Sequence, residues 1–136
     1  MPDKNGFWYF HHEYGIPLDD GTIGFTLAAK KTEYHYVFAM AKCNLADNFS
    51  RHLGRIISSG RVIKIAHELS RLDKSRAFKY QDRKLGTWVS VSPNCCDVES
   101  TLEEIEIVFG NLPSYIVIFV TNFLIASNES KQIISS

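Results

Sequence analysis

Arg51, Arg55 and Arg61 stand at spacings of four and six residues, with Asn48 and Ser59 close by. On a helix turning 100° per residue, Asn48, Arg51, Arg55 and Ser59 fall on one side. Arg51 and Arg55 lie one turn apart, so their guanidinium forks can grip a single anion. Arginine donates two parallel hydrogen bonds to one phosphate, and such charge-assisted bonds are about twice as strong as neutral ones. A solvated helix face usually mixes charge signs, whereas this one carries arginine without a neighbouring acid. The group reads as a phosphate-binding surface made by Asn48, Arg51, Arg55, Ser59 and Arg61. The competing reading pairs these arginines with Glu103, Glu104 or Glu106.

Aromatic side chains are the second resource. Trp8, Tyr9, Tyr34, Tyr36, Tyr80 and Trp88 lie on strand-like segments, where alternate positions must face outward. An exposed ring beside the arginines would stack on a base. Core packing is the ordinary role of any one of them.

Other chemistry is poorly served. His11 and His12 are adjacent and would face opposite sides of a strand, while His35, His52 and His67 are scattered. A nucleophile built from Cys43, His52 and Asp47 has no distinguishing spacing. There is no phosphate-binding glycine loop, no dinucleotide fingerprint, no paired-carboxylate motif and no metal-ligand spacing. No catalysis, metal or cofactor is therefore expected.

Zero net charge conceals a strong asymmetry. Residues 42–86 hold eleven Lys and Arg against four Asp and Glu, while the flanking segments together carry the compensating negative charge. A basic middle beside an acidic end creates a local anion site and permits contacts between subunits. Met1 to Gly6 is polar, no secretion signal follows, and three cysteines (Cys43, Cys95, Cys96) show no pairing pattern. Reduced thiols in a cytoplasmic, non-membrane protein are expected.

These residues need a frame. At 136 residues and 45% hydrophobic content, the chain suits a single domain over 1–136. Phe7–Tyr14, Ile23–Ala29 and Tyr34–Ala41 read as an amino-terminal antiparallel meander, turned at Asp19-Asp20-Gly21 and Lys30–Glu33. Ala77–Tyr80 and Thr87–Val91 read as a hairpin. Between them, the apolar stripe Leu45, Phe49, Leu53, Ile56 and Ile57 is out of phase with Val62, Ile65, Ala66 and Leu69. Two helices, about 45–58 and 61–73, broken at Ser58-Ser59-Gly60 and capped by Asn44, would reconcile them. A third helix runs from Leu102 to Phe109, capped by Ser100 or Thr101 and closed by Gly110. Pro113 suits the first turn of a last helix over the apolar run Tyr115–Ala126, although Tyr115–Thr121 is β-branched enough to be a buried strand, before a loose tail from Glu129. The expected fold is α+β, an antiparallel sheet of about five strands with helices packed on one face.

Two short helices around a glycine turn would also suit a helix-turn-helix DNA reader. Against it, the arginines lie on the first helix, and the second is mixed in sign.

The string Cys43-Asn44-x-x-Asp47-Asn48-Phe49-x-Arg51-x-x-Gly54-Arg55-x-Ile57-x-x-Gly60-Arg61 resembles a segment of small phage-encoded proteins. With the short sheet and arginine-rich element, the whole plan looks like the Thoeris anti-defence proteins, phage proteins that sequester a cyclic ADP-ribose signal. The resemblance implies a nucleotide sponge that binds without turnover, in a homo-oligomer with pockets at subunit contacts. A protein-binding inhibitor of a host immune complex is the alternative from another class.

Overall fold

The computed structural model describes residues 2–32, 35–44, 50–69, 78–82, 86–91, 98–110 and 112–135. Five strands, β1 (Trp8–Glu13), β2 (Thr22–Lys31), β3 (Tyr36–Asn44), β4 (Phe78–Asp82) and β5 (Gly86–Val91), form one sheet in the order β1-β2-β3-β5-β4. Every neighbouring pair is antiparallel, as the meander-plus-hairpin reading required. The turn into β2 is closed by Gly21 N–H donating to the Leu18 carbonyl (2.9 Å). Gly21 adopts φ +86°, a left-handed conformation that costs glycine little.

Helices α1 (Arg51–Leu69), α2 (Val98–Phe109) and α3 (Ile116–Ser135) cover the sheet from both sides, not from one face as expected. Phe25, Leu27, Tyr36, Phe38 and Met40 face α2 and α3, meeting Ile105, Phe109, Val120 and Phe123. Ala28, Val37 and Ala39, at the alternate positions, face α1 and meet Val62 and Ile65. Strand residues alternate between faces, so the six consecutive buried residues Tyr36–Ala41 require a layer on each side.

The expected break at Gly60 does not occur. A single helix runs from Arg51 to Leu69 straight through it. Its start is capped by Ser50, whose hydroxyl accepts from the Leu53 N–H (3.2 Å). Asn44, the expected cap, is the last residue of β3. The phase conflict noted in the sequence is real and is resolved differently. Ser58, Val62 and Ile65 turn inward, while Leu53, Ile56, Ile57 and Ile63 remain about half exposed on the outer side. The small residues Gly54 and Ser58 decide this, because they let the helix lie close to the sheet. The two-helix unit on which a helix-turn-helix reading depends is thereby replaced by one helix.

α2 starts at Val98, ahead of the expected cap, and ends at Phe109, followed by Gly110 with φ +60°. Gly110 N–H donates to the Glu106 carbonyl (3.0 Å), closing the last turn. The run beginning at Tyr115 is helical, and α3 continues to Ser135 where a loose tail was expected. Ile116, Val120, Phe123, Leu124 and Ser127 form its inward stripe. Among the described residues, no helix is long and apolar enough to cross a membrane.

Candidate functional site

The chemistry anticipated from the arginines gathers between the first half of α1 and the edge strand β1. Arg51 and Arg55 are exposed. Neither has a carboxylate partner among the described residues. The acidic residues of α2 lie across the sheet, so pairing with Glu103, Glu104 or Glu106 is closed to them within one chain.

Strand β1 supplies the opposing wall. Phe7, Tyr9 and His11 occupy alternate positions and project to the α1 side. Their rings lie nearly parallel, with Phe7 and Tyr9 centroids 6.1 Å apart at 19°, and Tyr9 and His11 6.3 Å apart at 15°. Phe7 is buried, whereas Tyr9 and His11 are half-buried. The Lys30 Nζ sits 4.5 Å above the Phe7 ring and adds a further cation at that end. The Tyr9 hydroxyl donates to Asp3 Oδ2 (3.3 Å). Burial raises its ionisation above the ordinary tyrosine range, with Ser59 and Arg55 pulling the other way.

His11 is the residue that sequence reasoning passed over. Its Nδ1 is 2.8 Å from Thr26 Oγ1, while its Nε2 is buried with no hydrogen-bond partner. Buried polar atoms are nearly always partnered, so this unmet bond is an exception in the packing between β1 and α1. Burial lowers the imidazole to about 4, and the positive charges of Arg51 and Arg55 add to the effect. His11 is therefore neutral at pH 7, and its Nε2 can accept or donate according to tautomer. The available signal was its position two residues from Tyr9 on the same strand face.

The remaining predicted members sit differently. Ser59 is beside Tyr9, but its hydroxyl donates to the Arg55 carbonyl (2.6 Å). It is thus not the free donor expected. Arg61 is half-buried and points away from the pair, donating to the Met40 carbonyl (2.5 Å). Met40 lies just past the last β3–β5 pair, Ala39↔Trp88, so the guanidinium satisfies a strand carbonyl there. Burial lowers the ionisation of Arg61. Asn48 lies outside the described residues, as does Asp47 of the nucleophile arrangement. Cys43, next to the last residue of β3, forms no disulfide with another described residue.

The surface between α1 and β1 offers two forked cations, an aromatic row and one unmet hydrogen bond. That set suits an anion carrying a planar group. No protein-family model, curated protein or solved structure matches this chain.

Proposed function

We propose that the chain binds and sequesters a phosphate-bearing nucleotide without chemical turnover, on the surface between α1 and β1. Arg51 and Arg55 hold the phosphates, and the Tyr9–His11 edge of the aromatic row receives the base. Ser59 shapes the wall, Asn48 belongs to the same segment, and Arg61 anchors α1. The observation that carries this reading is the pair of exposed arginines on α1 whose charge reaches His11 on β1, where Nε2 has no hydrogen-bond partner. Among the described residues neither guanidinium pairs with a carboxylate, and a phosphate would satisfy both at once.

The resemblance to Thoeris anti-defence proteins supports the class of ligand, a cyclic ADP-ribose or cyclic nucleotide signal used in immunity against phage. It also supports a cytoplasmic homo-oligomer in the infected host. Under the alternative, inhibition of a host immune complex by protein contact, no free nucleotide binds. Calorimetry against cyclic nucleotides and ADP-ribose derivatives separates the two. The sponge gives saturable binding, and intact ligand is recovered after heating the complex. Arg51→Ala together with Arg55→Ala abolishes that binding while moving stability by no more than about 0.5 kcal/mol, as for other exposed sites. Unchanged affinity in the double variant would remove this surface from consideration.

A further inference from the structure

A cleft opens on the sheet face opposite the arginine pair, between the start of β1, the end of β2 and the middle of α3. Its volume is about 280 Å³, and its lining includes Trp8, Lys31, Phe123, Ala126 and Ser127. Strand alternation sorts the two lysines at its rim. Lys31 shares the face of Leu27 and Ala29, which pack towards α2 and α3. Lys30 shares the face of Ala28, and its Nζ lies over the Phe7 ring on the α1 side. Lys31 is therefore the cation on the cleft side, and it pairs with no carboxylate among the described residues. No acid is among the described residues that line the cleft. Trp8 is half-buried, and its indole meets the Phe123 ring edge to face, with centroids 6.2 Å apart at 76°. Ser127 interrupts the otherwise apolar inward stripe of α3 and is only 8% exposed. Its hydroxyl makes no hydrogen bond to another described residue. A hydroxyl at that depth ordinarily has a partner, and the cleft that it lines is where one can reach it.

We infer that this cleft is a second ligand site and that it takes a small aromatic monocarboxylate. Size limits the ligand first, because small-molecule pockets run from about 300 Å³ upward and this one lies at their lower end. A single ring with a short side arm fits such a space. Trp8, Phe123 and Ala126 make the walls mainly carbon, so the body of the ligand is apolar. The edge-to-face pair leaves a face of the Trp8 indole on which a planar ring can stack. Lys31 supplies one countercharge, which matches a monoanion, and the Ser127 hydroxyl can donate to a carboxylate oxygen. A phosphate is a poorer match, since a lone ammonium lacks the fork that Arg51 and Arg55 offer on the other face. The sheet separates the two sites, so the inference does not depend on nucleotide binding.

Titration with phenylacetate, followed by NMR, tests it. The Trp8 indole N–H and the backbone amides of Lys31 and Ser127 should shift saturably, while those of Tyr9 and Arg55 stay in place. Phenylacetamide keeps the ring without the charge and should bind more weakly by about tenfold or more, as for one lost hydrogen bond to a charged group. Hexanoate keeps the charge without the ring and should also bind more weakly than phenylacetate. Lys31→Gln should erase the preference for the acid over the amide without changing the melting temperature, since the side chain is only half-buried. Ala126→Leu should fill the cleft and abolish the binding of both. No saturable shift of the Trp8 indole at the highest soluble phenylacetate concentration overturns the inference. Equal affinity for acid and amide in the wild type overturns the role of Lys31, and tighter binding of hexanoate overturns the aromatic class. Shifts centred on Tyr9 and Arg55 instead would move the anion to the α1 face and overturn the second site.

Discussion

Gly54 of α1 lies directly on Thr26 of β2. A Cβ at Gly54 would stand 2.8 Å from the Thr26 Cβ and closer still to its Oγ1. The same Oγ1 is 2.8 Å from His11 Nδ1. The close approach of helix to sheet and the placement of the site histidine therefore share one buried threonine.

Gly54→Ala should accordingly destabilise the fold by about 1–3 kcal/mol, the usual penalty of overpacking, despite the better helix propensity of alanine. Gly60, on the same helix, has nothing within 4 Å of a built Cβ. Gly60→Ala should instead stabilise by about 0.5–1 kcal/mol. Denaturant melts of the two variants check the opposite signs, and a stabilising Gly54→Ala would mean that α1 does not seat on Thr26.

The His11 imidazole should titrate with a midpoint near 4 by NMR. The ordinary value, and that of the unfolded chain, is about 6.5. Between the two, the unfolded chain binds the proton and the folded one does not, so stability falls as pH drops from 6.5 towards 4. His11→Gln should flatten that part of the profile. Phosphate bound by Arg51 and Arg55 offsets their charge and should move the midpoint upward. A midpoint at 6.5, unmoved by ligand, would show that His11 lies outside the field of the arginines.

Tyr9→Ala should weaken nucleotide binding by about tenfold or more, the value of one base–aromatic contact. Tyr9→Phe should retain most of it, because the ring and not the hydroxyl meets the base. Equal losses in both would point to the Asp3 hydrogen bond instead.

Ser50→Ala removes the hydroxyl that caps the start of α1 and should cost about 1 kcal/mol. Since Arg51 is the first residue of the helix, nucleotide affinity should fall as well. Melting curves and calorimetry on one preparation measure both, and Ser50→Asp should restore them.

Much of the strand order could be read from local pattern. Asp20-Gly21 and the alternation that follows are short-range signals, and they placed the meander correctly. Gly110 and Pro113 likewise marked the end of α2 and the approach to α3. Even the covering of both sheet faces was written in Tyr36–Ala41, whose six apolar residues leave no strand face for water. The course of α1 was not legible, because amphipathic pattern assumes that the larger apolar stripe is the buried one. Close packing favoured Gly54 against Thr26, a contact between residues nearly thirty positions apart, and turned the larger stripe outward. The site divides the same way. The spacing of Arg51 and Arg55 by one helical turn put them together from the sequence alone. That Tyr9 and His11 stand opposite them, while Arg61 turns away to a β3 carbonyl, depends on which strand lies at the sheet edge and on the rotation of α1. Both are settled only when the layers pack.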